Sequence, residues 1–263
     1  MLIAVDLDGT LFNKRSEVSG RTINSLLAAE AAGHIVVAVT GRSWRTCIER
    51  LKRASPIRYV VCSNGAYAYD VVNSSIIWSK PMDPKASMEA MKRIRNKHKQ
   101  ASFGWESSTG ISYERAFLEQ ADDPSTLEHG GNGGVLGQSE LLAIYIRVPG
   151  LDINELQKSI TELAGDVFCA STSGAPFLDA TARDVDKASG LAAAAAFYNV
   201  EADDVMSFGD NLNDLPMLHW AGTAVAMGNA HPSVRQMADS ITVSNNRDGV
   251  AVYIDRFLKA PMV

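Results

Sequence analysis

Apolar and polar positions alternate in blocks along this chain. Residues 2–7, 35–39 and 59–62 are short apolar runs, each ending in or followed by a polar cluster. Apolar runs this short, bounded by turn residues, predict strands covered on both faces, as in parallel sheets. Between them, residues 19–32 and 43–54 read as helices. Ile23, Leu26, Leu27 and Glu30 follow helical spacing, and Gly33 supplies a stop. Strand, helix, strand, helix, strand predicts a parallel sheet with right-handed crossovers.

The rhythm then changes. Residues 66–69 and 76–78 predict a hairpin, and Pro81 and Pro84 mark a boundary. Residues 85–99 predict a basic amphipathic helix. Strands are expected over 103–106, 111–115, 141–148, 167–170 and 177–180, with a helix over 152–164. Residues 120–138, rich in glycine, predict a mobile loop. From residue 186 the first rhythm resumes: helices over 187–198, 214–220, 232–237 and 249–258, and strands over 205–208, 223–226 and 240–243. The simplest account is one doubly wound α/β domain interrupted by an inserted α+β module.

Composition narrows the function classes. Of 263 residues, 25 are basic and 30 acidic, a net charge of −5, and 46% are hydrophobic. A folded, globular chain is expected. The acidic balance argues against a general affinity for nucleic acid. The basic helix at 85–99 reads as a solvated charged face. Cys47, Cys62 and Cys169 have neither disulfide-framework nor zinc-site spacing. No apolar run reaches the ~18 residues a membrane span needs. The chain is therefore expected in the cytoplasm, away from membranes.

Four polar clusters follow the predicted core strands: Asp6-Leu-Asp8-Gly9-Thr10, Thr40-Gly41-Arg42, Ser63-Asn64-Gly65 and Gly209-Asp210-Asn211-Leu212-Asn213-Asp214. Open α/β sheets bind ligands at the carboxyl ends of their strands, so these clusters can converge. Carboxylates two positions apart on extended chain share a face. One can be a nucleophile and the other a general acid or base. Two carboxylates repel, so a cation or a proton must hold them together. Oxygen-rich sites suit a hard cation such as Mg²⁺, which would also attract a phosphate.

At these residues the sequence resembles the haloacid dehalogenase superfamily of phosphotransferases, in particular its Cof-type sugar-phosphatase-like branch. Asp6-Leu-Asp8-Gly9-Thr10 matches the first motif and Gly209-Asp210-x-x-Asn213-Asp214 the fourth. Thr40-Gly41-Arg42 looks like the second, and Lys187 stands where the third motif has its lysine. Ala188 follows that lysine where the family usually has glycine. Ala226-Met227-Gly228-Asn229-Ala230 and Asp248-Gly249-Val250 resemble downstream signatures of the branch.

The resemblance implies a Rossmann-like doubly wound parallel core, residues 1–82 and 185–263, with an α+β cap domain at 83–184. It implies a Mg²⁺-dependent phosphatase acting on a small phosphorylated metabolite, a sugar phosphate first, through an aspartyl-phosphate. Asp6 would be the nucleophile and Asp8 the general acid and base, with Thr40 and Lys187 completing the catalytic set. Asp6, Asp8 (through its backbone carbonyl), Asp210 and Asp214 would serve the metal. Thr40, Gly41, Arg42, Asn64, Lys187 and Asn213 would contact substrate. The alternatives are a phosphosugar mutase of the same superfamily and a non-catalytic phosphate-binding regulator. A monomer or homodimer is expected.

Overall fold

The central strand, β1 (Leu2–Val5), is buried along its whole length. Leu2, Ile3 and Val5 are each 0% exposed. Burying side chains of this size stabilises by roughly 1.5–3 kcal/mol apiece. Parallel strands flank β1 on both sides: β2 (Ile35–Val39) on one edge and β11 (Val205–Gly209) on the other. The computed structural model describes residues 1–54, 56–121 and 134–259.

The chain divides into two units, Met1–Ile77 with Lys187–Val263, and Trp78–Asp186. The first is built on an eight-stranded sheet of order β13-β12-β11-β1-β2-β3-β4-β5. Its remaining strands are β3 (Tyr59–Cys62), β4 (Tyr67–Asp70), β5 (Ser75–Ser79), β12 (Thr223–Ala226) and β13 (Ser240–Ile241). Six of these strands run parallel, and β4 turns back antiparallel on β3. The strand order reverses at β1: β2 and β3 extend one way, β11 to β13 the other. That reversal is the switch point at which doubly wound sheets open a crevice. The helices of this unit are α1 (Gly20–Ala31), α2 (Trp44–Ala54), α6 (Lys187–Phe197), α7 (Leu215–Trp220), α8 (Pro232–Met237) and α9 (Gly249–Phe257). This is the Rossmann-like doubly wound α/β core that the sequence predicts.

The second unit is a five-stranded antiparallel sheet of order β7-β6-β8-β10-β9. The strands are β6 (Ser102–Ser107), β7 (Gly110–Tyr113), β8 (Leu141–Arg147), β9 (Phe168–Ser171) and β10 (Leu178–Ala182). Helices α3 (Pro84–Lys97) and α5 (Ile153–Ala164) supply Ile94 and Ile160 to a core with Phe103, Ile144, Ile146 and Leu178. Both helices start where a side-chain cap dictates. Asp83 and Asp152 accept hydrogen bonds from the first free backbone N–H groups.

The structure departs from the sequence pattern in a few places. The expected strand 111–115 ends at Tyr113, and α4 (Arg115–Glu119) begins instead. The cause is Glu114. Its carboxylate accepts from Phe103 N at 3.0 Å and pairs with Arg95 at 2.7 Å, bending the chain off the sheet. β10 starts one residue later and ends two residues later than the expected 177–180. Phe177 leaves the sheet ladder and packs its ring on Phe117 and Tyr145. The basic helix is paired, Lys92 to Glu89, Arg93 to Asp166 and Arg95 to Glu114. Most of the Gly-rich stretch read as a mobile loop, residues 122–133, lies outside the described residues. Among the described residues no helix is long and apolar enough to cross a membrane.

Candidate active site

The site grows from the two strand ends beside the switch point. Asp6 extends the β1 ladder by one bond, its N–H donating to Phe208 O of β11 at 3.1 Å. The chain then turns at Gly9, whose φ of +82° favours glycine. A Cβ there would also collide with the Asp210 carboxylate. Gly9 thus lets the first and fourth polar clusters touch. Thr10 closes the contact, its hydroxyl donating to Asp210 Oδ1 at 2.9 Å.

Beyond β11, Asp214 organises its own loop. Its Oδ2 accepts from the backbone N–H of Asp210 at 2.8 Å and of Asn211 at 2.9 Å. Asn211 returns the favour as a helix cap. The other Asp214 oxygen accepts from Lys187 Nζ, the first residue of α6. Lys187 donates again to Asp6 Oδ1 at 2.6 Å. Lys187 and Asp214 are 1% and 0% exposed at their side chains. A lysine so buried persists because two carboxylates share its charge.

These neighbours perturb one another. Burial pushes the Asp6 carboxyl well above the usual range and Asp214 pushes it further, against the pull of Lys187. Burial and the Asp214 charge raise Asp210 to about 6, with the Thr10 hydrogen bond opposing. Burial alone would lower Lys187, but Asp214 and Asp6 outweigh it and drive its pKa upward. Asp6, Asp210 and Asp214 each place a carboxylate oxygen within 4.8 Å of the others. Three converging oxygen donors, two of them reluctant to ionise, fit a hard divalent cation. One lysine does not neutralise three carboxylates.

The other sequence-selected residues gather by the next strand ends. Thr40, after β2, is buried; its hydroxyl accepts from Arg42 N at 3.1 Å and its carbonyl from Asn64 N at 3.0 Å. Gly41 lies between Thr40 and Arg42. Asn64, after β3, is left-handed (φ 51°) and buried. Its Oδ1 accepts from Asn213 Nδ2 at 3.0 Å, and among the described residues its own Nδ2 has no hydrogen-bond partner. Asp8 is exposed, and its carboxylate is held by Arg42. Sequence reasoning gives Thr10 no role, although it lies inside the first cluster; only the fold shows its hydroxyl against Asp210.

Haloacid dehalogenase-like hydrolases share a sequence profile that matches residues 3–254. The chain belongs to the haloacid dehalogenase-like hydrolase family. It is similar to 5-amino-6-(5-phospho-D-ribitylamino)uracil phosphatase YcsE of Bacillus subtilis, 29% identical over 252 residues, covering 95% of this chain and 92% of the relative. Pyridoxal phosphate phosphatase YbhA of Escherichia coli is 26% identical, with 96% and 97% covered. Among solved structures, the haloacid dehalogenase phosphatase BT1666 of Bacteroides thetaiotaomicron superposes with a TM-score of 0.81 at 24% identity, covering 97% of this chain and 94% of that one. The subclass IIB sugar phosphatase BT4131 gives 0.79 at 23%, with 97% and 98% covered. This haloacid dehalogenase-like hydrolase is an enzyme of the phosphatase class.

Proposed function

We propose that this enzyme hydrolyses a small phosphate monoester, a sugar phosphate first among them, through a phosphoryl group carried on Asp6 and with Mg²⁺ bound. The observation that carries the reading is the convergence of Asp6, Asp210, Asp214 and Lys187 where the strand order reverses. Asp6, Asp210 and the Asp8 carbonyl would hold the metal, with Asp214 bracing the loop behind them. When bound, Mg²⁺ supplies positive charge that draws in the phosphate and offsets charge developing on its oxygens.

The chain's own residues do the rest. An Asp6 carboxylate oxygen attacks phosphorus while the ester P–O bond breaks. The leaving oxygen keeps the electron pair and takes a proton from Asp8. Water then attacks the phosphoryl group, gives its proton to Asp8, and the P–O bond to Asp6 breaks. Asp6 is restored and phosphate departs. Lys187, within hydrogen-bond reach of Asp6, would donate to the oxygens of a phosphoryl group carried there. Thr40 and the Asn213–Asn64 pair supply neutral donors to the same group, and Gly41 leaves room for it. Positioning and charge neutralisation are what phosphoryl transfer demands most.

Relatives named for a ribitylaminouracil phosphate and for pyridoxal phosphate support a small polar metabolite as substrate. Phosphate is common to all such molecules, so choice among them is assigned to the inserted α+β domain, residues 83–184. Cys47 and Cys62 are buried and form no disulfide among the described residues, which agrees with a reducing cytoplasm. Monomer or homodimer, the enzyme needs no nucleic acid or membrane for this chemistry. The test is a panel of phosphorylated metabolites assayed for free phosphate with Mg²⁺ and after chelation. Magnesium-dependent release is expected. Isomerised product without free phosphate would make it a mutase, and turnover after exhaustive chelation would refute the metal.

A further inference from the structure

The stretch from Met227 to Ala230 and the turn before Asp248-Gly249 take no part in the chemistry above, yet together they reach into it. Two backbone bonds fasten the first stretch along the fourth cluster: Met227 N to Gly209 O at 3.1 Å and His231 N to Asp210 O at 2.8 Å. Between these fixings stands Asn229. Its Nδ2 donates to the Gly9 carbonyl at 2.8 Å and reaches Asp210 Oδ2 at 3.4 Å. Its Oδ1 accepts from Asn245 N at 2.9 Å.

That accounting leaves the amide one orientation. An NH₂ group has two protons, and here two oxygen acceptors face it. Turned over, the amide would set its own oxygen against a carbonyl and a carboxylate, and its NH₂ against an N–H. Asn229 is therefore locked as a bridge between the turn that carries Asp8 and the carboxylate of Asp210. Thr10 holds the opposite oxygen of that carboxylate.

The lock depends on the turn at 245–247. Asn245 Nδ2 donates to Phe12 O at 2.8 Å, and Asn246 Oδ1 accepts from Lys14 N at 2.8 Å. With Asn229 on Gly9, three contacts grip the segment after Asp8. The turn closes at Asp248, which is left-handed (φ 57°), and at Gly249, where a Cβ would run into Val243 O.

We propose that Asn229, set by the Asn245 backbone N–H, is a positioning residue that fixes the Asp210 carboxylate against the Gly9 turn, and that the 245–247 turn thereby governs how tightly the acidic cluster holds its cation. This rests on the metal reading given under Proposed function. Groups that orient metal-binding carboxylates typically change affinity by about 10- to 100-fold when removed.

Calorimetric titration of the full chain with MgCl₂ alone, without substrate, tests it. Asn229→Ala is expected to bind magnesium about tenfold more weakly than the wild type, with an unchanged melting temperature in metal-free buffer. Equal affinity overturns the proposal. A loss of affinity matched by a loss of metal-free stability makes Asn229 mere scaffolding and overturns it too. Asn245→Ala removes the bond to Phe12 and the one its Oδ1 accepts from Asn246 N, and leaves Asn229 in place, so it stays measurable should the first variant fail to fold. There about a threefold weakening is expected, as for one modest hydrogen bond, and unchanged affinity overturns the role of the turn. Absence of magnesium binding to the wild type would fell the metal reading itself, an outcome distinct from binding that Asn229→Ala leaves intact.

Discussion

Arg42 grips Asp8 with two donors, Nε on Oδ2 at 2.5 Å and Nη2 on Oδ1 at 2.9 Å. The sequence places Arg42 among the substrate contacts, but here its fork is spent on the acid that would move protons. Such a paired contact fixes the direction of a carboxylate as well as its position. Arg42→Ala should therefore misdirect Asp8 and spare substrate affinity. With p-nitrophenyl phosphate, whose leaving group needs little protonation, the first release of nitrophenol should keep its rate. The following steady state should fall by about 10- to 100-fold, because water still needs a base. Stopped-flow absorbance separates the phases. Loss of the burst with a raised KM would return Arg42 to the substrate.

Asp6→Asn closes the covalent route and is expected to lose at least ~10³ in turnover while remaining folded. Asp8→Asn should behave differently. With p-nitrophenyl phosphate it should accumulate phosphate on Asp6, detectable by rapid quench and mass spectrometry. No adduct, or an adduct on another residue, would overturn this division of labour.

Lys187 also carries stability. Removing its charge leaves Asp6 and Asp214 buried with no counter-charge between them. Breaking a buried pair from one side costs about 3–5 kcal/mol. In urea at neutral pH without metal, Lys187→Met should show a loss of that size. Lys187→Met with Asp214→Asn should recover part of it, because the repulsion then has one partner fewer. A Lys187→Met protein as stable as the wild type would show that the lysine is not what holds the carboxylates together.

A pH effect is expected far from the chemistry, between α1 and α9. A hydrogen bond from Ser25 at 2.6 Å lowers the Asp255 carboxyl; burial opposes it, and Arg21 adds to the lowering. A folded-state value below the unfolded one gives stability that is present above about pH 4 and lost as pH falls through the folded value. Partial exposure limits it to about 0.5–1 kcal/mol. Asp255→Asn should thus melt below the wild type at pH 7, and the gap should close near pH 3. A gap that is the same at both values would rule the carboxylate charge out as its source.

Much of the site is legible in the sequence because chemistry and topology coincide. Asp6, Thr40, Asn64 and Asp210 each follow a strand that ends at one edge of one sheet, so short motifs report a shared location. The pairing of Arg42 with Asp8 is not legible, since 34 residues separate them and nothing local favours it. Asn229 is visible as part of a signature, but its partners, Gly9 and Asn245, come from opposite ends of the chain. α4 is missed for another reason. It is five residues long, its N-cap Glu114 makes no side-chain capping bond, and Phe117 is its one buried side chain. The basic run in α3 reads as solvated, and two of its counter-charges, Asp166 and Glu114, lie outside that helix.

The bond from Thr10 to Asp210 spans 200 positions, and that from Lys187 to Asp6 spans 181. The ribosome therefore makes Asp6 and Thr10 long before Lys187 and Asp210, the residues they bond. While synthesis is under way, β1 has only β2 beside it, and its other edge waits for β11, residues Val205–Gly209. The inserted unit, continuous from Trp78 to Asp186, has all its strands before that edge is covered. Pairings so distant in sequence form late. A chain that stops short of β11 carries Asp6 and Asp8 without Asp210 and Asp214, so a chain cut before Val205 is expected to release no phosphate.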